Sequence, residues 1–416
     1  MPETPLLQRL RLVRDLAAGG GSRAWARYAA MSWDDAQGLV ERPERYVALT
    51  FHLPPEIPAA LGLVPNPHEP LAGAAASLPA ARELLAQAAG ELPGQTAVCG
   101  YQRLFWGLLA SGWLPPPVAF AASTFACDDV WKMYEAAAAR WGRPFLGLDA
   151  PAVAGPGGRA LVVEGLRAVA EGLAALTGTS LKDEGVARAV RLSNRALAAK
   201  LRVDRARRLR PEALESALAL RYFTLYAKMG TPAAAEVLEA LAEEAEGRAA
   251  GAAGAGAAGA GADAAAGAAA DRRLLWLGLV PLHRPAFTAE LERRYRVTIV
   301  YEELSWFAWR RLRERHFFDD LACRVLALHY LGRASRRAEA ALALARRFRA
   351  DGVVHFSYAG CRTLPPGAGF IAAACRAAGL PFCEVWGDVA DPAAYDAARV
   401  ESQLQAFMEM IGAARR

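Results

Sequence analysis

From Arg272 onward the chain alternates between two hydrophobic periods, and this alternation limits the fold more than any other feature. Val297–Tyr301, Val353–Tyr358 and Phe382–Trp386 are short and rich in β-branched or aromatic residues, and Leu274–Val280 is a short apolar run. Between and after them lie helical stretches at Ala286–Tyr295, Asp319–Leu331, Arg336–Ala350, Gly369–Ala378 and Ala393–Ile411. Gly379 and Pro381 punctuate the fourth of these. Strands that alternate with helices of this length predict a parallel sheet covered on both faces.

A shorter version of the pattern stands near the N-terminus. Thr96–Val98, Val118–Ser123 and Phe145–Leu148 read as strands, with helices at Gln102–Ser111 and Asp129–Trp141. From Gly158 to Glu246 the chain is nearly all helical, most clearly at Thr179–Leu201 and Pro211–Met229, where proline suits a first helical position. Residues 249–270 are only alanine and glycine apart from Asp263. Repeated glycines weaken a helix by about 1 kcal/mol each, and the tract has no apolar face, so it reads as a flexible linker or surface insertion. The expected organisation is α/β: two Rossmann-like parallel-sheet domains with a helical segment between them. Residues 1–90 form an N-terminal helical region and the start of the first α/β domain, and 91–157 carry its remainder with Cys99 and Cys127. The helical segment spans 158–247, the Ala/Gly linker 248–271, and the second α/β domain with Cys361 spans 272–416.

Composition excludes several classes. The 416 residues carry a net charge of +6 with 22% charged and 9% aromatic residues, which fits a folded chain rather than a disordered or fibrous one. Arginine clusters at Arg205–Arg210 and Arg310–Arg315 read as solvated helix faces, and no groove-reading motif accompanies them, so no nucleic-acid partner is expected. Charged residues interrupt the leucines of Met1–Leu16, so this opening reads as an amphipathic helix rather than a signal peptide. No run is apolar enough for a membrane span. The expected compartment is the cytoplasm. There the six cysteines are buried residues, catalytic thiols or metal ligands rather than disulfides.

Cys99, Cys127 and Cys361 each follow a predicted strand, and ligands of open α/β sheets bind beyond the strands' carboxyl ends. Three thiols so placed suit a soft metal or an iron–sulfur cluster, with one corner left open for another ligand. The alternative is that each is a small buried hydrophobe. That reading is preferred for Cys323 and Cys375 on apolar helix faces and for Cys383 within a strand. The absence of a Cys-x-x-Cys pair argues against zinc ribbons and ordinary ferredoxins.

Cys99-Gly-Tyr-Gln-Arg with Gly107, then Ser123-Thr-Phe-Ala-Cys127-Asp-Asp-Val-Trp-Lys, then Arg143-Pro-Phe-Leu-Gly-Leu-Asp-Ala-Pro151, form an ordered series. Leu53-Pro-Pro-Glu-Ile with Ala60-Leu-Gly-Leu-Val-Pro65 precedes it. Asp351-Gly-Val-Val with Cys361, Gly379-Leu-Pro381 to Asp388, Arg399, Gln403 and Phe407-Met-Glu409 follow. From about Arg45 to Ile411 the chain resembles the 2-hydroxyacyl-CoA dehydratase and benzoyl-CoA reductase family. The resemblance implies Rossmann-like domains and a [4Fe–4S] cluster held by Cys99, Cys127 and Cys361. It implies an acyl-CoA thioester substrate, and a working unit formed with a homologous second subunit or a second copy. A separate ATP-hydrolysing activator would supply one low-potential electron. The activity implied is radical (ketyl) elimination of water from a 2-hydroxyacyl-CoA. Ring reduction of an aromatic acyl-CoA by a benzoyl-CoA-reductase-type subunit, or a non-catalytic electron-transfer role, are the alternatives within the family. Outside it stands an α/β small-molecule binding module with inert cysteines. The family often has an acidic residue after the third cysteine, where this chain has Arg362.

Glu56 is a candidate catalytic acid, able to handle a proton beside the cluster, or else a helix-start carboxylate serving backbone amides. Asp128 and Asp129 read as first-turn residues of the next helix, Lys132 as facing the site or pairing with Asp128, and His52 and His355 as packed polar residues. Gly155-Pro-Gly-Gly158 lacks the Lys-Ser/Thr of a P-loop, and no Gly-x-Gly-x-x-Gly fingerprint or Gly-x-Ser-x-Gly elbow is present.

Overall fold

The computed structural model describes residues 3–65, 68–92, 98–124, 127–151, 155–251, 272–306 and 310–413. Two four-stranded parallel sheets carry the architecture, as the sequence predicts. In the first, β1 (Tyr46–Leu49), β2 (Val64–Pro65), β3 (Ala119–Ser123) and β4 (Phe145–Leu148) lie in the order β2-β1-β3-β4. In the second, β5 (Arg272–Leu277), β6 (Val297–Glu302), β7 (Gly352–Tyr358) and β8 (Phe382–Gly387) lie in the order β6-β5-β7-β8. The two orders are the same. In each sheet the chain reverses direction of winding between the first and third strands, where open α/β sheets form their ligand crevice.

The alternation of side chains divides the interior. Val47, Leu49, Ala119 and Ala121 face helices Pro156–Thr177, Asp183–Leu209 and Pro232–Gly251 through Val162, Leu166, Val203 and Leu238. Ala48, Phe120 and Ala122 face the opposite way and join a core that runs into the second domain through Trp276, Val354, Phe356 and Val385. The helical segment is therefore intermediate in sequence but covers one face of the first sheet. The outer face of the second sheet, with Leu275, Leu277 and Val353, is covered by helices Ala334–Phe348 and Pro365–Ala377.

Several local expectations change. The strands β1 and β2 precede the first strand expected from sequence; of the expected strand at Thr96–Val98, residues 96 and 97 lie outside the described residues and Val98 is in a bend. The single helix expected over Pro211–Met229 is three pieces, a 3-10 turn at Pro211–Ala213, an α-helix at Ser216–Tyr222 and a 3-10 helix at Phe223–Lys228. Residues 249–251 of the Ala/Gly tract end helix Pro232–Gly251, and the rest of the tract lies outside the described residues. Arg207, expected on a solvated face, is 1% exposed and clamps Glu302 with two bonds of 2.7 Å. No helix among the described residues is long and apolar enough to cross a membrane.

Candidate functional site: three cysteines between facing sheet ends

The carboxyl ends of the two sheets face each other across a cavity of about 900 Å³, its open mouth included. Thr50, Phe51 and His52 follow β1; Cys127 and Val130 follow β3; Leu279 follows β5; Leu304 follows β6; Tyr358, Cys361, Thr363 and Leu364 end or follow β7. Each sheet thus presents its own reversal point to the same space. Cys99 enters from a third direction, at the N-cap of helix Gly100–Ala110.

The three thiols share one local device. Cys99 and Cys127 are the N-cap residues of their helices, and Cys361 stands one turn before helix Pro365–Ala377. The Cys361 sulfur accepts the Leu364 N–H at 3.4 Å, whereas Cys99 and Cys127 stand at their helix starts without a side-chain cap bond, and the Gln102 N–H goes to the Cys99 carbonyl at 3.1 Å. Tyr358 also donates its hydroxyl to the Cys361 sulfur. Helix starts favour negative sulfur, because their free amides point at it. Burial works the other way. It pushes all three thiols above their ordinary range, Cys127 to about 12, with mutual repulsion among the sulfurs adding to the shift at Cys99 and Cys127. A cationic centre bound among them would hold the three as thiolates at neutral pH.

Gly360 draws two of the cysteines together. Its φ is +77°, and a Cβ there would lie 2.5 Å from the Cys99 nitrogen and 2.6 Å from the Val98 carbonyl carbon. Only glycine allows that turn and that approach. Asp129 accepts the Cys99 N–H at 3.3 Å and fixes the same backbone from the other side. Gly100 makes room for Asp388, whose Oδ1 would stand 2.2 Å from a Cβ at that position. Sequence reasoning missed Gly360, and the spatial roles of Gly100, Asp129 and Asp388, although Gly360 and Gly100 each adjoin a candidate cysteine.

All six cysteines are free thiols, and Cys323, Cys375 and Cys383 lie away from the cavity lining. Cys375 is fully buried in the outer core of the second sheet, and Cys383 donates to the Gln403 carbonyl at 3.9 Å. Among the described residues no group of three His, Cys, Asp or Glu side chains is arranged to hold a single metal ion.

Glu56 is brought elsewhere. It is 1% exposed, forms an ion pair with Arg324 and accepts the Ser193 hydroxyl at 2.7 Å, and it is not part of the cavity lining. His52 lines the cavity and burial lowers its pKa to about 4, so it is neutral at pH 7. His355 is packed behind, between Arg337 at 2.9 Å and Ser357 at 2.9 Å. Lys132 pairs with Glu135 at 2.9 Å on the surface and is not part of the lining.

A second and larger cleft, about 1410 Å³ with its mouth, adjoins the first and shares Tyr101, Phe223 and Leu279 with it. Arg9, Arg221 and Arg284 line it, together with Trp25, Tyr28 and the buried Lys228–Asp35 pair at 2.7 Å. Apolar walls with cations along them fit a long ligand that carries anionic groups.

Residues 50–411 match the family model described as 2-hydroxyglutaryl-CoA dehydratase, D-component. No curated protein matches the chain.

Proposed function

We propose, since this chain belongs to the family of 2-hydroxyglutaryl-CoA dehydratase D-components, that it is the iron–sulfur subunit of a 2-hydroxyacyl-CoA dehydratase, with Cys99, Cys127 and Cys361 holding a [4Fe–4S] cluster. The observation that carries this reading is the meeting of these three thiols, from three separate loops, in one cavity between the sheet ends. The donor set fits such a cluster. The three are free thiols that line one cavity, two of them at helix N-caps, and in such a cluster each thiolate takes its own iron. When bound, the cluster supplies a one-electron centre and an iron without a protein thiolate, able to draw negative charge onto a thioester oxygen.

The chain's own residues set the conditions for that chemistry. Phe51, Val130, Phe223 and Leu279 keep the cavity apolar and exclude water, which strengthens every electrostatic interaction inside it. The Leu364 backbone amide and the Tyr358 hydroxyl bond the Cys361 sulfur and tune the potential. The adjoining cleft receives the long arm of coenzyme A, with Arg9 and Arg221 available to its phosphates. The electron arrives from an ATP-hydrolysing activator, and a homologous subunit or a second copy completes the working unit. The test is anaerobic turnover of a 2-hydroxyacyl-CoA to the enoyl-CoA by the holoprotein, its natural partner and a reduced activator. Turnover that is lost in Cys127→Ala and retained in Cys375→Ala supports the reading. A loaded, reducible cluster with no turnover of any hydroxyacyl thioester, and reduction of an aromatic one instead, contradicts it.

A further inference from the structure

We infer that the cavity selects a 2-hydroxyacyl group with an uncharged, apolar chain and rejects one that ends in a carboxylate. This inference rests on the dehydratase reading for the place of the acyl group, beside the three cysteines and beyond the cleft that takes coenzyme A.

The lining decides the matter. Around the cysteines the walls are Phe51, Val130, Phe223, Leu279, Leu304 and Tyr330, and no lysine or arginine is among the lining residues. Of the segments outside the described residues, 1–2, 66–67, 93–97, 125–126, 152–154, 252–271 and 307–309 contain no lysine or arginine, and 414–416 carries Arg415 and Arg416. The titratable side chains of the lining other than the thiols and tyrosines are His52 and Glu69. His52 is neutral at pH 7, as burial and the neighbouring His329 both lower its pKa. Glu69 is 2% exposed, and it accepts from Gln102 at 3.4 Å. A carboxyl group already set in an apolar wall disfavours a second carboxylate beside it.

Cations around the lining are turned elsewhere: Arg103, next to Gln102, pairs with Asp391 at 3.0 Å, and Arg362, between Cys361 and Thr363, is exposed and not part of the lining. Arg337 stands behind Tyr330, with its guanidinium 5.6 Å from the ring centre, and forks onto Glu303 at 2.7 and 2.8 Å. It also donates to the Leu364 carbonyl at 2.6 Å. Lys228 belongs to the adjoining cleft and is paired with Asp35. A terminal carboxylate therefore meets neutral donors such as the Tyr330 hydroxyl but no lysine or arginine of the lining, and gives up its hydration without a counter-charge, whereas an alkyl chain gains from the same burial. Gln102, 3% exposed, lines the cavity and keeps its Oε1 without a protein partner, so a neutral acceptor is present for a substrate hydroxyl.

The experiment compares 2-hydroxyhexanoyl-CoA with 2-hydroxyglutaryl-CoA, using the anaerobic holoprotein with its partner and reduced activator. Binding of the unreactive hexanoyl-CoA and glutaryl-CoA is measured on the same preparation by calorimetry. The expected result is a preference of about a hundredfold for the hexanoyl chain in kcat/KM and in Kd. Equal affinities, tighter binding of glutaryl-CoA, or no binding of hexanoyl-CoA would overturn the inference. Preferential binding of hexanoyl-CoA without turnover of either hydroxyacyl thioester would uphold it while the dehydratase reading fails. In Leu304→Arg, a cation on the wall narrows the preference about tenfold, whereas Leu304→Gln leaves it within about threefold. A folded, cluster-loaded Leu304→Arg protein with the preference unchanged would also overturn the inference.

Discussion

Gly360 shows how one residue controls the geometry of the site. Its positive φ and the 2.5 Å that separates a Cβ from the Cys99 nitrogen are two independent penalties for any side chain. Gly360→Ala is expected to cost ~1–3 kcal/mol and to separate Cys99 from Cys361. The check is a thermal melt together with iron content after anaerobic reconstitution; full iron content at unchanged Tm would contradict the assignment. Cys127 and Cys361 are legible in the sequence as strand-following thiols, whereas Cys99 follows no described strand and is marked by its family-like motif alone. Gly360 is not legible, because its constraint comes from a backbone far away in the sequence. Glu56 was read as a candidate acid, since nothing near it in sequence announces that Arg324 and Ser193 are its partners.

The elements that carry the site differ in how well their sequences declare them. β6, β7 and β8 are β-branched and aromatic runs between helices, and they stand where the period predicts them. β1 is only Tyr-Val-Ala-Leu before a polar turn, too short to show a period, yet it sits at the centre of the first sheet and delivers Phe51 and His52 to the cavity. Pro211–Met229 has helical composition throughout, but tertiary packing breaks it into three pieces, one of which places Phe223 on the cavity wall. The end of helix Phe287–Tyr295 offers a test at this scale. Glu292 accepts the Ile299 amide and the Ser216 hydroxyl, both at 2.8 Å, and burial raises its pKa to about 7. Between the unfolded value and about 7 the native state binds the extra proton, so this group's contribution to stability falls as pH rises across that window. Glu292→Gln is expected to flatten the decline by on the order of 1–3 kcal/mol, measured by urea titrations from pH 5 to 8. A slope identical to that of the unsubstituted protein would contradict it.

At the scale of the whole molecule, two sheets of the same strand order put their reversal points face to face, and buried charges tie the parts around them. Glu56 precedes β2, Ser193 belongs to helix Asp183–Leu209 and Arg324 to helix Phe317–Ala327, so one ion pair joins the first sheet, the helical segment and the second half of the chain. Glu56→Gln leaves Arg324 without its counter-charge and is expected to cost ~3–5 kcal/mol, with kcat per loaded cluster retained. A fall in kcat at unchanged Tm would instead give Glu56 a part in proton transfer. The alternation of strands and helices made the two sheets legible from the sequence, whereas their mutual orientation depends on contacts between distant residues that no period encodes. The central claim, that Cys99, Cys127 and Cys361 together hold an iron–sulfur cluster, is tested most directly by iron and sulfide analysis of the anaerobically reconstituted protein and its single Cys→Ala variants. The account predicts about four iron and four sulfide per chain, lost or sharply reduced when Cys99, Cys127 or Cys361 is replaced and kept when Cys323, Cys375 or Cys383 is. Equal loading across all six variants, or none in the unsubstituted protein, would contradict it.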